Sequence, residues 1–340
     1  MGQNCIMKNS NTHLYELEIV KNTVPSLRYK GECSFLDWQE KAAKKLEELL
    51  GLPLERGASS FEVEYENRFD DFIECRFTVE SEPSYFVPCH LLIPNDEKTT
   101  HPLTICLSGH GGGMHIALGR AKNEKDEKSL SDWPHRAMGL RAIKDGRAAL
   151  IIEARSFGEC SINGYGTSCT ETAKTAILMG RTLIGERVHD AMCALDAVLS
   201  NFAIDKNNIV VTGNSGGGTA AYYFAALDKR ITACAPSCSI CTFEGSIIAM
   251  EHCMCNHIPR IRKYFEMGDI AGLIAPRTLV IAAGKNDNIF PIESTKECFE
   301  LIKEIYSAAE SPENCALVIG DGGHLNYADE LWSKLHQFGL

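Results

Sequence analysis

No stretch of this 340-residue chain approaches the ~20 consecutive apolar residues of a membrane span. Positive charge is also short: 34 Lys and Arg against 45 Asp and Glu leave a net charge of −11. That balance argues against nucleic acid or an anionic membrane as partner, since both demand a basic surface. Met1 to Asn11 holds one lysine and no apolar core, so a secretory leader is not expected. Internal repeats and low-complexity tracts are missing as well. Cysteine, by contrast, is plentiful. The fifteen are odd in number and several fall inside apolar segments, namely Cys75, Cys89, Cys106 and Cys234. Reduced, buried thiols in a cytoplasmic protein fit this pattern better than a disulfide framework.

Hydrophobic content of 44% and charged content of 23% are ordinary for a globular chain long enough to bury a large core. Residues 1–33 lack periodicity and read as an N-terminal surface segment, with 34–340 as the main domain. Ser34, with Asp37 three residues on, caps a predicted helix whose apolar stripe is Trp38, Ala42, Leu46, Leu49 and Leu50, ended by Gly51 and Pro53. Phe61 to Tyr65, Phe72 to Val79 and Phe86 to Ile93 read as antiparallel strands. Beyond Pro102 short apolar strands alternate with helical patterns: strands at 103–107, 148–152, 231–235, 278–283 and 316–319, helices at 135–144, 172–179, 186–199, 294–308 and 328–338. Such alternation implies an α/β fold with a mostly parallel central sheet, helices on both faces and antiparallel strands at its N-terminal edge. The charged run Lys122 to Lys128 reads as a solvated loop, and 238–267 as an insertion overhanging the strand ends.

The most informative segment is Ile209-Val210-Val211-Thr212-Gly213-Asn214-Ser215-Gly216-Gly217-Gly218, a strand running into G-x-S-x-G and then into a small-residue helix. This is the context of a nucleophile elbow, in which a sharp turn lifts the serine hydroxyl clear of the sheet. A serine hydroxyl needs a histidine to take its proton and a carboxylate to orient that histidine. In this arrangement the partners follow in the order Ser, Asp, His, each after a strand. Asp287 follows the strand ending at Ala283, and His324 follows the strand ending at Ile319. Asp321 is a rival acid, but it precedes the histidine by only three residues. The oxyanion formed during attack needs two backbone N–H donors, each worth about 2.7–4 kcal/mol of barrier. Gly216 is expected to supply one. The other is expected from His110-Gly111-Gly112-Gly113, with Gly111 favoured and Gly112 next.

With these motifs the chain resembles the α/β-hydrolases, and within them the acetyl xylan esterase-like enzymes near the dienelactone hydrolase and prolyl oligopeptidase branches. The resemblance runs from about residue 34 to the end. Besides the elbow and the histidine loop it draws on Trp38, Leu49-Leu50-Gly51-Leu52-Pro53, Val87-Pro88-Cys89-His90-Leu91-Leu92-Ile93-Pro94, Glu153 to Glu159, and Ala275-Pro276-Arg277. It implies a serine carboxylesterase of short-chain, acetyl-type esters of small carbohydrates, working through an acyl-enzyme. A peptidase or amidase is the alternative within enzymes, and a non-catalytic binding protein on the same fold the alternative outside them. The expected partner is a small-molecule ester, and homo-oligomerisation is left open. His110, Glu153 and Arg155 are candidate substrate contacts, although an ion pair is the simpler reading of the last two. Arg187 and Asp190, spaced i, i+3, are expected to tie their helix to a neighbour. His252-Cys253-Met254-Cys255-Asn256-His257 is rich in soft ligands, but C-x-C is not the usual zinc-finger spacing. It is read as reduced thiols in the insertion, with no metal or cofactor assigned.

Overall fold

The computed structural model describes residues 10–58 and 60–340. Helices α1 (Thr12–Asn22) and α2 (Phe35–Leu50) precede strands β1 (Phe61–Arg68), β2 (Phe72–Glu82) and β3 (Tyr85–Pro94). Next come β4 (His101–Leu107), α3 (Glu124–Asp132), α4 (Met138–Lys144), β5 (Ala148–Ile152), α5 (Cys169–Leu178), α6 (Leu183–Asn201) and β6 (Ile204–Asn214). The chain continues through α7 (Gly216–Leu227), β7 (Ala233–Ser237), and two single turns, α8 (Ile261–Tyr264) and α9 (Met267–Ile270). It ends with β8 (Thr278–Gly284), α10 (Ile292–Ala308), β9 (Cys315–Gly320) and α11 (Ala328–Gln337).

The nine strands form one sheet in the order β1-β2-β3-β5-β4-β6-β7-β8-β9. Pairings from β1 to β5 are antiparallel, and those from β5 to β9 are parallel. This is the α/β-hydrolase architecture. The central strands are apolar on both faces because both are covered. Leu103, Ile105, Leu150, Ile152 and Val211 join the core shared with α2, α6, α7 and α10. Their alternates turn to the other face, Cys106, Ala149 and Ile151 against α4, and Val210 against α11.

Helix α2 follows its sequence signals closely. The Ser34 hydroxyl accepts from the Asp37 amide at 3.1 Å, the predicted stripe is buried, and Gly51 closes the helix at φ 78°. Two regions depart from the sequence reading. Residues 12–22 form a helix with no buried residue, so no apolar period marks it. The run Lys122 to Lys128 belongs largely to α3 rather than to a solvated loop; Asn123 caps it, and Asp126 is buried against His115 at 2.8 Å. One inward carboxylate on a charged helix leaves no apolar signature to read.

Candidate active site

Parallel strands place their C-terminal ends along one edge of the sheet, and the turns that follow them converge there. Ser215 sits between β6 and α7 at φ 54°, ψ −126°, the strained backbone of an elbow. Glycine is required on either side by close backbone approach. A Cβ on Gly213 would lie 2.5 Å from the Gly217 carbonyl, and one on Gly217 would collide with the Leu107 carbonyl of β4. The Ser215 amide donates to the Ser237 carbonyl at 2.9 Å, which ties the elbow to the end of β7.

Asp287 follows β8, and its side chain is fully buried. His324 Nδ1 donates to Asp287 Oδ2 at 2.9 Å, while Asp287 Oδ1 accepts from the Ile289 and Phe290 amides at 2.8 and 3.0 Å. Burial alone would raise this carboxyl. The hydrogen bonds from His324 and the two amides outweigh it and hold the group below the usual carboxylate range. The rival Asp321 is fully exposed, beside Lys285. The His324 ring stacks on Phe290 at 5.9 Å.

The loop carrying His324 is pinned by residues that the sequence motifs did not single out. Asn214 Nδ2 and Ser237 Oγ both donate to the Leu325 carbonyl at 3.0 Å, and Tyr327 Oη donates to the Gly323 carbonyl at 2.8 Å. Asn214 is the variable position inside G-x-S, where a motif gives no role.

Ser215 and His324 line one cavity of about 410 Å³ together with His110, Trp133, Arg136, Glu251, His252, Cys253, Asn256 and Asn326, among others. Most of these side chains offer hydrogen bonds, and Trp133 is 45% exposed. Four of them, at 251–253 and 256, come from the insertion between β7 and β8. Of these eight, His110 alone was a candidate substrate contact.

The remaining nominated residues take other places. Gly216 opens α7 directly behind the serine, where a Cβ would meet the His110 ring at 2.8 Å. Gly111 faces the Arg136 guanidinium, and Gly112 lies against Asp126 and His115. The loop residues that adjoin the elbow are instead Gly109, whose Cβ would sit 3.3 Å from Ser215 Cβ, and His110.

Glu153 and Arg155 are buried outside this cavity and do not pair with each other. Glu153 accepts from the Met114 amide at 3.0 Å and the Glu159 amide at 3.1 Å, which fixes the loop after β4; burial pushes its pKa up to about 7 against the pull of both amides. Arg155 forks onto Asp190 with two 2.7 Å bonds and reaches Glu82 at 2.6 Å. These contacts tie neighbouring segments together, and neither residue lines the cavity that holds Ser215 and His324. Arg187 donates to the Arg155 carbonyl at 2.8 Å and to Cys169 Sγ at 3.3 Å. Cys253 and Cys255, set aside on spacing, meet Cys169 and His110, and their four ligand atoms lie within 4.8 Å of one another.

Comparison with known proteins agrees with this fold. A family model described as an abhydrolase family matches residues 16–320. The Bacillus subtilis (strain 168) protein named "Putative hydrolase YtaP" is 27% identical over 293 residues, covering 84% of this chain and 93% of its own. Among solved structures, a Bacteroides fragilis NCTC 9343 protein titled "putative acetyl xylan esterase" superposes with a TM-score of 0.77 at 18% identity, over 92% of this chain and 83% of its own. A glucuronoyl esterase from Solibacter usitatus gives 0.69 at 13% identity, over 93% and 96%. At such identities the structural likeness speaks to the fold.

Proposed function

The chain belongs to the abhydrolase family, and from that premise we propose that it is a serine carboxylesterase acting on short-chain, acetyl-type esters of small carbohydrates. One observation carries the reading. Ser215, on a strained elbow, opens onto the same cavity as His324, whose Nδ1 is held by buried Asp287. With Nδ1 committed to the carboxylate, Nε2 is the nitrogen left to take the serine proton. Ser215 Oγ then bonds to the ester carbonyl carbon. The imidazolium returns its proton to the leaving alcohol as the C–O bond breaks, and water repeats the sequence to free the acid.

The oxyanion is stabilised by the Gly216 N–H at the start of α7, where the helix dipole adds to it. For the second donor we assign the His110 N–H in place of Gly111 or Gly112. Gly109 and His110 are the loop residues that reach Ser215 and Gly216, whereas the next two glycines face Arg136 and Asp126.

The substrate class is supported by the cavity wall. Arg136, Glu251, His252, Asn256 and Asn326 offer donors and acceptors suited to hydroxyl groups, and Trp133 offers a ring face for a sugar. The names carried by the neighbours point to carbohydrate esters as well. No helix among the described residues is long and apolar enough to cross a membrane. We place the protein in the cytoplasm, which the free thiols of the described cysteines favour. A p-nitrophenyl ester series from acetate to palmitate, run beside acetylated sugars and alanyl and prolyl p-nitroanilides, tests the substrate reading. The expected maximum lies between acetyl and butyryl. A maximum at octanoyl or longer, or faster anilide cleavage, would overturn it.

A further inference from the structure

Beside the triad, three chain segments deliver soft ligands to a single point. His110 comes from the loop after β4, Cys169 is the first residue of α5, and Cys253 and Cys255 belong to the insertion that walls the cavity. His110 Nε2 lies 3.7 Å from Cys169 Sγ and 3.6 Å from Cys255 Sγ, and the sulfurs of Cys253 and Cys255 are 3.3 Å apart. A tetrahedral centre with metal–sulfur bonds of about 2.3 Å and a metal–nitrogen bond of about 2.0–2.1 Å has S···S edges of about 3.8 Å and N···S edges of about 3.5 Å. These three separations fall within about 0.5 Å of those edges, and all four ligand atoms lie within 4.8 Å of one another. Such distances are too short for an iron–sulfur cluster, whose cysteines bind separate irons.

The surroundings carry the matching charge. Arg187 is 5% exposed, and its hydrogen bonds go to the Arg155 carbonyl and to Cys169 Sγ rather than to a carboxylate. A buried guanidinium gains little from three neutral thiols. Three thiolates around a divalent cation carry one net negative charge, which Arg187 neutralises. C-x-C is an unusual spacing for a zinc pair in sequence, but here the third and fourth ligands arrive from elsewhere in the chain, so local spacing is not the criterion.

We propose that His110 Nε2 and the sulfurs of Cys169, Cys253 and Cys255 bind a single thiophilic divalent metal ion, with zinc the best match to this donor set. Four protein ligands close the coordination sphere, so the ion acts as a clamp and not as a Lewis acid on the ester. It joins α5 and the insertion to the loop that we assign to the oxyanion site, because the His110 ring lies against Gly216. Only that consequence for turnover rests on the esterase reading; the site itself does not.

The test is elemental analysis of the full-length wild-type chain, purified under reducing conditions without a polyhistidine tag, followed by exchange with Co²⁺. Roughly one zinc per chain is expected, and the cobalt form should show thiolate charge transfer and the intense visible bands of tetrahedral cobalt. Cys169→Ser and Cys255→Ser should each lower retained zinc at least ~10-fold. Should those variants fail to fold, the wild-type cobalt spectrum decides alone. Absence of both stoichiometric metal and the cobalt bands overturns the proposal. So do several irons with inorganic sulfide, or full zinc retention in a folded Cys169→Ser/Cys255→Ser double variant. Fluorophosphonate labelling of the same wild-type sample reports on Ser215 separately, so failure of the metal site and failure of the triad cannot be confused.

Discussion

Replacing Gly213 with alanine isolates the steric demand of the elbow. The new methyl would stand 2.5 Å from the carbonyl carbon and oxygen of Gly217 and 2.7 Å from the Leu107 carbonyl oxygen. It falls about 0.9 Å short of the 3.4 Å at which a Cβ contact becomes ordinary. All three obstacles are backbone atoms, so no rotamer change relieves them. The start of α7 must move away from β4 and β6, carrying the Ser215 hydroxyl and the Gly216 amide with it. A shift near 1 Å at a reacting group costs about 10²-fold in rate, and overpacking costs about 1–3 kcal/mol of stability. Gly323→Ala is the matched control. It adjoins His324, but its nearest neighbour would be an ordinary 3.4 Å away and its φ is not positive. That variant should keep kcat/KM within about threefold and be neutral or more stable by about 0.4–1 kcal/mol, through a less disordered unfolded chain. Steady-state hydrolysis of p-nitrophenyl acetate and thermal melts of both proteins provide the comparison. Equal behaviour of the two variants would refute the packing argument.

Asp287→Asn should lower kcat by about 10⁴-fold while the fold persists, because the amide favours the wrong imidazole tautomer. The Asp287 carboxyl is held below its ordinary value, so its contribution to stability is present above the unfolded carboxylate pKa and is lost as pH falls; denaturant melts of the variant should show a shallower acid limb. Glu153 has the opposite sign. Raised from 4.5 to about 7, it keeps in the fold a proton that the unfolded chain releases, so its contribution declines as pH climbs through that window. Urea melts of Glu153→Gln at pH 5 and pH 8 should show the variant gaining up to about 3 kcal/mol relative to wild type at the higher pH. Arg155→Met leaves Asp190 buried without its cation and should cost about 3–5 kcal/mol by the same melts, yet kcat/KM measured well below the melting temperature should change less than about threefold.

The proposed triad was legible because its signals are local. Ser215, Asp287 and His324 each follow an apolar strand, Ser215 and His324 among glycines and Asp287 three residues after Gly284, so a few consecutive residues point to both position and proposed role. The parallel sheet was legible for the same reason, since strands such as β4 and β5 are buried on both faces and read as unbroken apolar runs. What escaped depends on long-range contact. Arg155 finds Glu82 and Asp190 in segments far from it in sequence, and nothing near residue 155 names either partner. The histidine loop matched a motif, and our assignment of its donor to His110 departs from the register that motif implies. His110 is already the third residue beyond β4, so the elbow meets it before the glycine run begins. His110, Cys169 and the Cys253–Cys255 pair are brought together by three separate turns, which a local spacing rule scores as absent. Helices α1 and α3 bury almost nothing and so leave no periodic trace.

The proposed chemistry stands or falls with Ser215 as the nucleophile. Intact-mass analysis after treatment with a fluorophosphonate probe, with peptide mapping of the adduct, decides that point. One adduct is expected on Ser215 of the wild-type chain and none on folded Ser215→Ala. An adduct that persists in Ser215→Ala, or a folded wild-type chain that stays unlabelled while a known serine esterase in the same tube reacts, would contradict it.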